Sequence, residues 1–548
     1  MARLDGSGNG PLETIGENAG YKTATRGEGA VAGASAVIAG VAGLAKLAGF
    51  LRDRSLGIAF GAGSESDAYL VATWLPPLLV AVIVSAVNTS LLPVFTELRV
   101  RGENRAAWRL VSAVLNLAVV VSGALMVAGL VWAGDLARLV APGFDEATTA
   151  TTALLLKITM PCMVFLTLHA VGSTVLHSFR CFAPPAAGAV LVNAATIAAI
   201  VFGAGRWGIG AVALGTVTGY ALQAVLLAPF LRGRWGHYST SLGLRDPNVR
   251  RVLVLAAPVT AVAALSQVSG VIEKYLASGL SAGSIAALTF ASKLIMLPTG
   301  LFAIAVSTVV FPVMAEAASR GDLESVNSSV QRGTRILVYV TLPAVVGLSA
   351  LRYPVVQALF EKGAFGPEAT EATALAVLCY SASMLFKSVE PVFGRAFHAM
   401  QDTLTPSAIT LAGVPLFGVT AVLLSGPLGH AGIALATSLS SAVVFAVNVA
   451  LLRRRHHVSP GVTALSSFVL RLVIPCGVMA GVSFAALAAA RAIGVGRAIA
   501  MLSAVGAGAV AYFVATLVTG VKEARDAVRV FRTVARKVAT VAPRSAAH

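Results

Sequence analysis

The sequence predicts an all-α polytopic membrane protein of about fourteen spanning helices. Two parallel six-helix repeats form two lobes, and two extra C-terminal helices follow them. Three observations carry this prediction: the number and length of the apolar runs, an internal repeat at an offset of about 220 residues, and a one-sided distribution of Lys and Arg.

Apolar residues make up 57% of the 548 positions and charged residues 12%, with a mean hydropathy of +0.83, a balance that excludes a soluble domain of this length. A helix needs about 20 apolar residues to cross roughly 30 Å of hydrocarbon. Runs of that kind lie near 31–60, 70–95, 108–133, 150–175, 183–204, 209–231, 251–277, 285–315, 333–350, 371–397, 405–425, 431–452, 464–490 and 497–520. They are too long and too continuous for barrel strands, and lipid leaves no other partner for backbone groups, so each reads as a helix.

The repeat sets the grouping. Leu75-Pro76 recurs as Leu297-Pro298, Pro93 as Pro312, Gly102 as Gly321, His177 as His398, Pro185 as Pro406 and Arg232 as Arg453. So constant an offset describes a duplicated bundle, and duplicated bundles with a site at their interface are a common design of secondary transporters. Residues 31–232 form the first lobe (helices 1–6) and 250–455 the second (helices 7–12). Helices 13 and 14 span 464–520, outside the repeat.

Orientation follows from the connections. Seventeen Lys and Arg cluster on one side, for example Arg99 to Arg109, Arg232 to Arg251 and Arg453 to Arg455, against six on the other, among them Arg138, Arg352 and Lys362. The crowded side is cytoplasmic by the positive-inside rule, which places both termini inside and points the two repeats the same way. This sidedness accounts for the net charge of +17 without a nucleic-acid partner. Residues 1–30 are Gly-rich and polar, read as disordered, and lack the pattern of a signal peptide. The 521–548 tail sets Arg525, Arg529, Arg532 and Arg536 against an apolar stripe of Ala524, Val528, Phe531, Val534 and Val538, the pattern of a helix on an anionic leaflet. Four cysteines without metal spacing read as small apolar residues, and no cofactor is predicted.

Charge within a spanning segment is costly and marks function by default. Such residues concentrate in the first two helices of each repeat: Lys46, Arg52, Asp53 and Arg54 in helix 1, Glu273 and Lys274 in helix 7, and Lys293 in helix 8. Lys46, Arg52 and Lys293 are candidate ligands for an anionic cargo, since Lys and Arg donors on a diphosphate are common chemistry. The competing reading is structural ion pairing with Asp53, Asp67 or Glu273. Arg54 and Lys274 lie near the outer interface. Asp67 and Glu390 are lone carboxylates, weak signals for a coupling cation. There is no G-x-x-x-x-G-K-S/T phosphate loop, so an ion gradient or membrane potential is left as the drive.

At these residues the chain resembles a known family. Lys46-Leu-Ala-Gly-Phe-Leu-Arg52-Asp53, Phe60-Gly61-Ala62-Gly63, Asp67-Ala68 and Leu75-Pro76 resemble the opening of the MurJ/MviN family of lipid II flippases, within the multidrug/oligosaccharidyl-lipid/polysaccharide exporter superfamily. The similarity continues through Phe290-Ala291-Ser292-Lys293-Leu294, Leu359-Phe360-Glu361-Lys362-Gly363-Ala364-Phe365 and Phe397-His398-Ala399 with Asp402-Thr403, over roughly residues 35 to 520. The resemblance implies a cationic central cavity and alternating access that carries undecaprenyl-diphosphate-linked peptidoglycan precursor outward across the bacterial inner membrane. Cell-wall synthesis or division proteins are the partners it suggests.

Carried over residue by residue, it places cavity cations at Lys46, Arg52 and Lys293 and a helix 1–2 aspartate at Asp67, which orders or gates the outer end; Asp53 and Glu273 are read, from their own positions, as structural ion-pair partners. An arginine pair usual after the helix 2 Leu-Pro falls on Val80 and Ala81, and a helix 11 asparagine associated with sodium in some members falls on Ala421. The first departure leaves a flippase for another polyprenyl-linked glycan, or a degenerate scaffold of cell-wall assembly, as alternatives. The second leaves sodium a ligand short and favours membrane potential. A drug/cation antiporter fits a cationic cavity poorly, and a glycosyltransferase would need an Asp-x-Asp pattern that is absent.

Overall fold

A computed structural model describes residues 40–232, 236 and 238–529, with no side-chain description at 297, 299–310 and 462–463. The expected disordered segment 1–30 and the tail positions from Phe531 to Val538 lie outside the described residues.

Every regular element among the described residues is helical. The first half holds α1 (40–60), α2 (Ser64–Ala86), a π turn (Val87–Leu91), α3 (Leu92–Val100), α4 (Asn104–Val131), α5 (Ala133–Val140), α6 (Glu146–Thr159), α7 (Cys162–Ser178), α8 (Ala183–Val225) and α9 (Ala228–Leu231). The second holds α10 (Pro247–Ser278), α11 (Ser284–Ser319), α12 (Leu323–Ala350), α13 (Arg352–Phe360), α14 (Pro367–Ala399) and α15 (Leu404–His456), followed by α16 (Val462–Ala492) and α17 (Arg497–Val518). Ten described helical segments are long and apolar enough to cross a membrane, so this is a multi-pass membrane protein. The short helices α5 and α13 interrupt the connections after α4 and α12, where the sequence suggested only loops.

The duplication is visible in the backbone. Positive φ angles occur at Gly61 and Gly283, Gly102 and Gly321, Arg180 and Gln401, and Gly208 and Gly429, pairs that keep the offset of the sequence repeat. Arg180 and Gln401 end equivalent helices in the same way: their amides donate to His177 and His398 carbonyls, while the following amides, Cys181 and Asp402, reach back to Leu176 and Phe397. A left-handed cap on a non-glycine residue costs about 1–2 kcal/mol, so its occurrence at both equivalent sites reflects a shared geometry. Gly208 (φ 58°, ψ −151°) and Gly429 (φ 58°, ψ −139°) break α8 and α15, which at 43 and 53 residues exceed one bilayer crossing.

Packing differs between the two ends of the bundle. At the Gly61 end one core unites both halves, with Leu56 and Tyr69 from the first and Phe290, Phe360 and Phe365 from the second. At the Gly102 end the cores are separate: Phe95, Trp108 and Val171 gather with Val249 and Val252 of α10, while Val330, Phe393, Leu452 and Phe468 form another with Tyr512 of α17. Ala524, on the apolar stripe of the tail, is fully buried in that second core, and Arg335 holds Glu523 at 2.8 Å. The tail therefore starts as a helical stretch (522–529) docked on protein.

Candidate functional site: a closed end and a cationic cleft

The joint at the Gly61 end is built from backbone. Both oxygens of Asp67, at the start of α2, accept amide hydrogens from the first turn of α11: Gly283 N–H to Oδ2 and Ala286 N–H to Oδ1, each at 2.7 Å. A helix N-terminus has unpaired donors and a positive dipole end, so a buried carboxylate there is well satisfied. Arg54 Nε donates to the Leu359 carbonyl at 2.6 Å, and the Ala364 amide to the Ile58 carbonyl at 2.9 Å. Phe50 meets Phe360 edge-on, and Phe360 stacks on Phe290 at 5.2 Å between centroids. Glycine permits the close approach. A Cβ on Gly283 would lie 2.1 Å from the Ala62 carbonyl oxygen, and one on Gly363 2.4 Å from that of Ile58, both at positive φ.

Away from that joint, exposure identifies a second surface. Along α14, Glu371, Leu375, Leu378 and Ala382 are exposed on one face, as expected toward lipid. Nearer the Gly102 end the exposed positions, Lys387, Pro391 and His398, lie on the opposite face, while Val389, Val392, Phe393 and Ala396 bury the first one. Helix α1 also has two exposed faces, one apolar (Leu44, Leu47, Leu51) and one carrying Lys46 roughly opposite. On α11, Thr289, Lys293 and Met296 form an accessible stripe. Two cores that part toward the Gly102 end, and polar faces accessible between them, describe a cleft open at that end.

Of the predicted cations, Lys46 is exposed and Lys293 partly exposed, and neither forms a hydrogen bond or ion pair among the described residues. A Cβ on Gly49 would lie 3.7 Å from the Asn193 amide nitrogen, and Asn193 donates to the Ala45 carbonyl at 3.3 Å, which fixes α1 on α8 and with it the direction of Lys46. By helical rise Lys46 lies about 21 Å from the Gly61 end and Lys293 about 14 Å.

Arg52 is arranged differently. Its Nε and Nη2 both donate to Asp53 Oδ1, at 2.9 and 2.7 Å, while Asp53 Oδ2 is buried without a hydrogen bond among the described residues. The guanidinium fork is thus turned on its own neighbour, although its side chain keeps 27% of its surface. Glu273 pairs with the buried Lys274 at 2.8 Å, not with Lys46 or Lys293, and Lys274 lies within electrostatic range of Asp67. Val80 is buried in the common core, and Ala421 is fully buried, so neither offers a polar group to a ligand.

Sequence reasoning missed Lys387 because nothing in its surroundings marks a motif; its signal is a lone lysine twelve residues from the end of a spanning helix. It placed Arg54 at the outer interface without seeing that it bridges the two halves.

The family model described as lipid II flippase MurJ matches residues 57–521. A probable lipid II flippase MurJ of Vibrio cholerae serotype O1 is 26% identical over 506 residues, covering 87% of this chain and 94% of that protein. A probable lipid II flippase MurJ of Thermotoga maritima is 30% identical over 397 residues, covering 72% and 80%. A solved lipid II flippase MurJ in an inward closed conformation superposes with a TM-score of 0.74 at 22% identity over 86% of this chain and 96% of that one. An inward-facing multidrug resistance MATE family transporter gives 0.63 at 16% identity over 74% and 93%. The chain belongs to the lipid II flippase MurJ family.

Proposed function

We propose that this transporter moves lipid II from the inner to the outer leaflet of the cytoplasmic membrane by rocking two lobes, 31–232 and 250–455, about the joint at Asp67. The observation that carries the reading is the asymmetry of the core: one core at the Gly61 end and two at the Gly102 end, with Lys46 and Lys293, unpaired among the described residues, on accessible faces. The arginine-rich connections lie at the Gly102 end, so the positive-inside rule makes it cytoplasmic and the state seen here inward-facing. Splitting α8 at Gly208 and α15 at Gly429, and adding 40–60 and α11, brings the spans to fourteen with both termini inside.

In the inward-facing state the diphosphate enters from the inner leaflet and meets Lys46 and Lys293. Arg52 joins them when its fork leaves Asp53 for a stronger acceptor. The polyprenyl tail stays in lipid, so only the head group has to be screened from hydrocarbon. Neutralising the cavity cations stabilises closure of the inner end; opening the outer end then requires the Asp67 carboxylate to release the amides of α11. Ala421 presents a methyl group where a sodium ligand would be needed, which favours membrane potential as the drive, at about 2.3 kcal/mol per elementary charge per 100 mV.

Complementation tests substrate and activity together. The chain is expected to keep cells alive when their own lipid II flippase is shut off; lysis despite normal membrane abundance would leave transport of another polyprenyl-linked glycan. Replacing external sodium with choline is expected to leave growth unchanged.

A further inference from the structure

Lys387 on α14 is a departure from the duplicated plan. Its counterpart at the repeat offset of 221 is Leu166, and that of Glu390 is His169. The cation therefore belongs to the second copy alone. By helical rise it lies about 18 Å from the Gly102 end of α14 and about 30 Å from the other, some 9 Å nearer the cleft opening than Lys46.

Its surroundings distinguish it from Arg52 and Lys274, the other charges within spanning helices that have a carboxylate nearby. Arg52 and Lys274 are each closed onto an adjacent carboxylate at 2.7 and 2.8 Å. Lys387 makes no ion pair or hydrogen bond among the described residues, although Glu390 and Glu273 are within electrostatic range. Lys387 and Glu390 share a cavity of about 10 Å³, room for roughly one water, with Ser441, Asn448 and the rings of Phe386 and Phe445, which pack at 5.4 Å. The Asn448 amide donates to the Val444 carbonyl at 2.9 Å and the Ser441 hydroxyl to the Thr437 carbonyl at 2.7 Å, which leaves the Asn448 side-chain oxygen and the Ser441 oxygen as acceptors. That cavity is too small for more than a water, so what the pair offers a ligand is its accessible side: the exposed Lys387 ammonium with the half-buried Glu390 carboxylate a helical turn away.

That pair suits one kind of group. A diphosphate carries several negative charges and is best held by forked or multiple cations; here it would meet a single point charge backed by Glu390 and Glu273. A group bearing one carboxylate and one amine fits both members. We propose that Lys387 and Glu390 form a subsite for the zwitterionic peptide of the lipid II head group, with Lys387 taking a peptide carboxylate and Glu390 the amine of its diamino acid. This rests on the lipid II reading above and adds to it a means of discriminating peptide-bearing cargo from bare polyprenyl diphosphate.

The test measures binding of lipid II and of undecaprenyl diphosphate to the purified full-length protein, wild type and Lys387→Ala, with Lys387→Arg and thermal stability as controls on folding. Lys387→Ala is expected to weaken lipid II binding about tenfold, to leave undecaprenyl diphosphate within twofold, and to be largely restored by Lys387→Arg. Unchanged lipid II affinity in a folded Lys387→Ala protein overturns the subsite, as does a parallel loss for both ligands, which would place Lys387 at the diphosphate. A wild-type protein that binds undecaprenyl diphosphate but shows no preference for lipid II overturns it too. Failure of the wild type to bind either ligand would instead remove the underlying reading.

Discussion

Asp67 and Gly283, 216 positions apart in the chain, are joined by a 2.7 Å hydrogen bond in which the Gly283 amide donates to a buried carboxylate oxygen. With the matching bond from Ala286, the same side chain caps α11 and ties it to the start of α2.

Removing that carboxylate should shift the conformational equilibrium. Two charge-assisted hydrogen bonds in a buried setting are together worth about 2–3 kcal/mol or more, so Asp67→Ala should move the population toward outer-open forms by at least tenfold. Asp67→Asn, which keeps one acceptor, should have a smaller effect. Spin-label distances between positions 62 and 281 report this directly; an unchanged distribution in Asp67→Ala would show that the aromatic contacts alone hold the joint.

The glycines at the joint make a separate prediction. Gly283→Ala and Gly363→Ala each combine positive φ with a Cβ closer than 2.5 Å to a carbonyl oxygen, and should cost about 2 kcal/mol or more of closed-state stability. Gly123→Ala and Gly134→Ala, helical positions where a Cβ meets nothing within 4 Å, serve as controls. Equal melting temperatures across all four variants would contradict this account of the joint.

The cavity cations separate by their present partners. Lys46→Ala and Lys293→Ala should each weaken lipid II binding about tenfold at normal membrane abundance, with Lys46→Arg and Lys293→Arg tolerated or improved by the added fork. Arg52→Ala should match them only if Arg52 leaves Asp53 during transport. If Arg52→Ala and the double Arg52→Ala, Asp53→Ala behave differently, with the double restored, the pair is structural. Full complementation by all three single Ala variants would refute the anion site.

Orientation can be read by impermeant thiol labelling of intact cells in a cysteine-free background. Glu368 is exposed near the joint and Ser241 is exposed in the connection between the lobes, whereas Phe365 is buried and uninformative. Label is expected at a cysteine replacing Glu368 and not at one replacing Ser241. The opposite pattern would invert the transport direction proposed here.

Much of this architecture was legible because membrane helices and duplication leave strong sequence signals: the breaks at Gly208 and Gly429 fall where separate apolar runs 183–204/209–231 and 405–425/431–452 were read. The functional surface was less so. Charge at membrane depth marks Lys46, Arg52 and Lys293 equally, yet only contacts show that Arg52 is held by Asp53 while the two lysines are not. The role of Asp67 depends on backbone amides of a helix over two hundred residues away, and amides leave no trace in residue identity. Lys387 became distinct only once α14 was seen to exchange its exposed face midway. The tail's apolar stripe suggested a lipid surface, but periodicity cannot say what covers it, and Ala524 is covered by protein.

The central claim, that this chain carries lipid II outward through a cleft gated at Asp67, is tested most directly by measuring lipid II at the outer surface of cells depleted of their own flippase. Labelled lipid II accessible to an external lipid II-degrading toxin should rise to a large fraction of the pool when the wild-type chain is expressed. It should stay near background with Lys46→Ala combined with Lys293→Ala, and fall when membrane potential is collapsed. An accessible pool no larger with the wild type than with empty vector, at equal membrane abundance, would contradict the account.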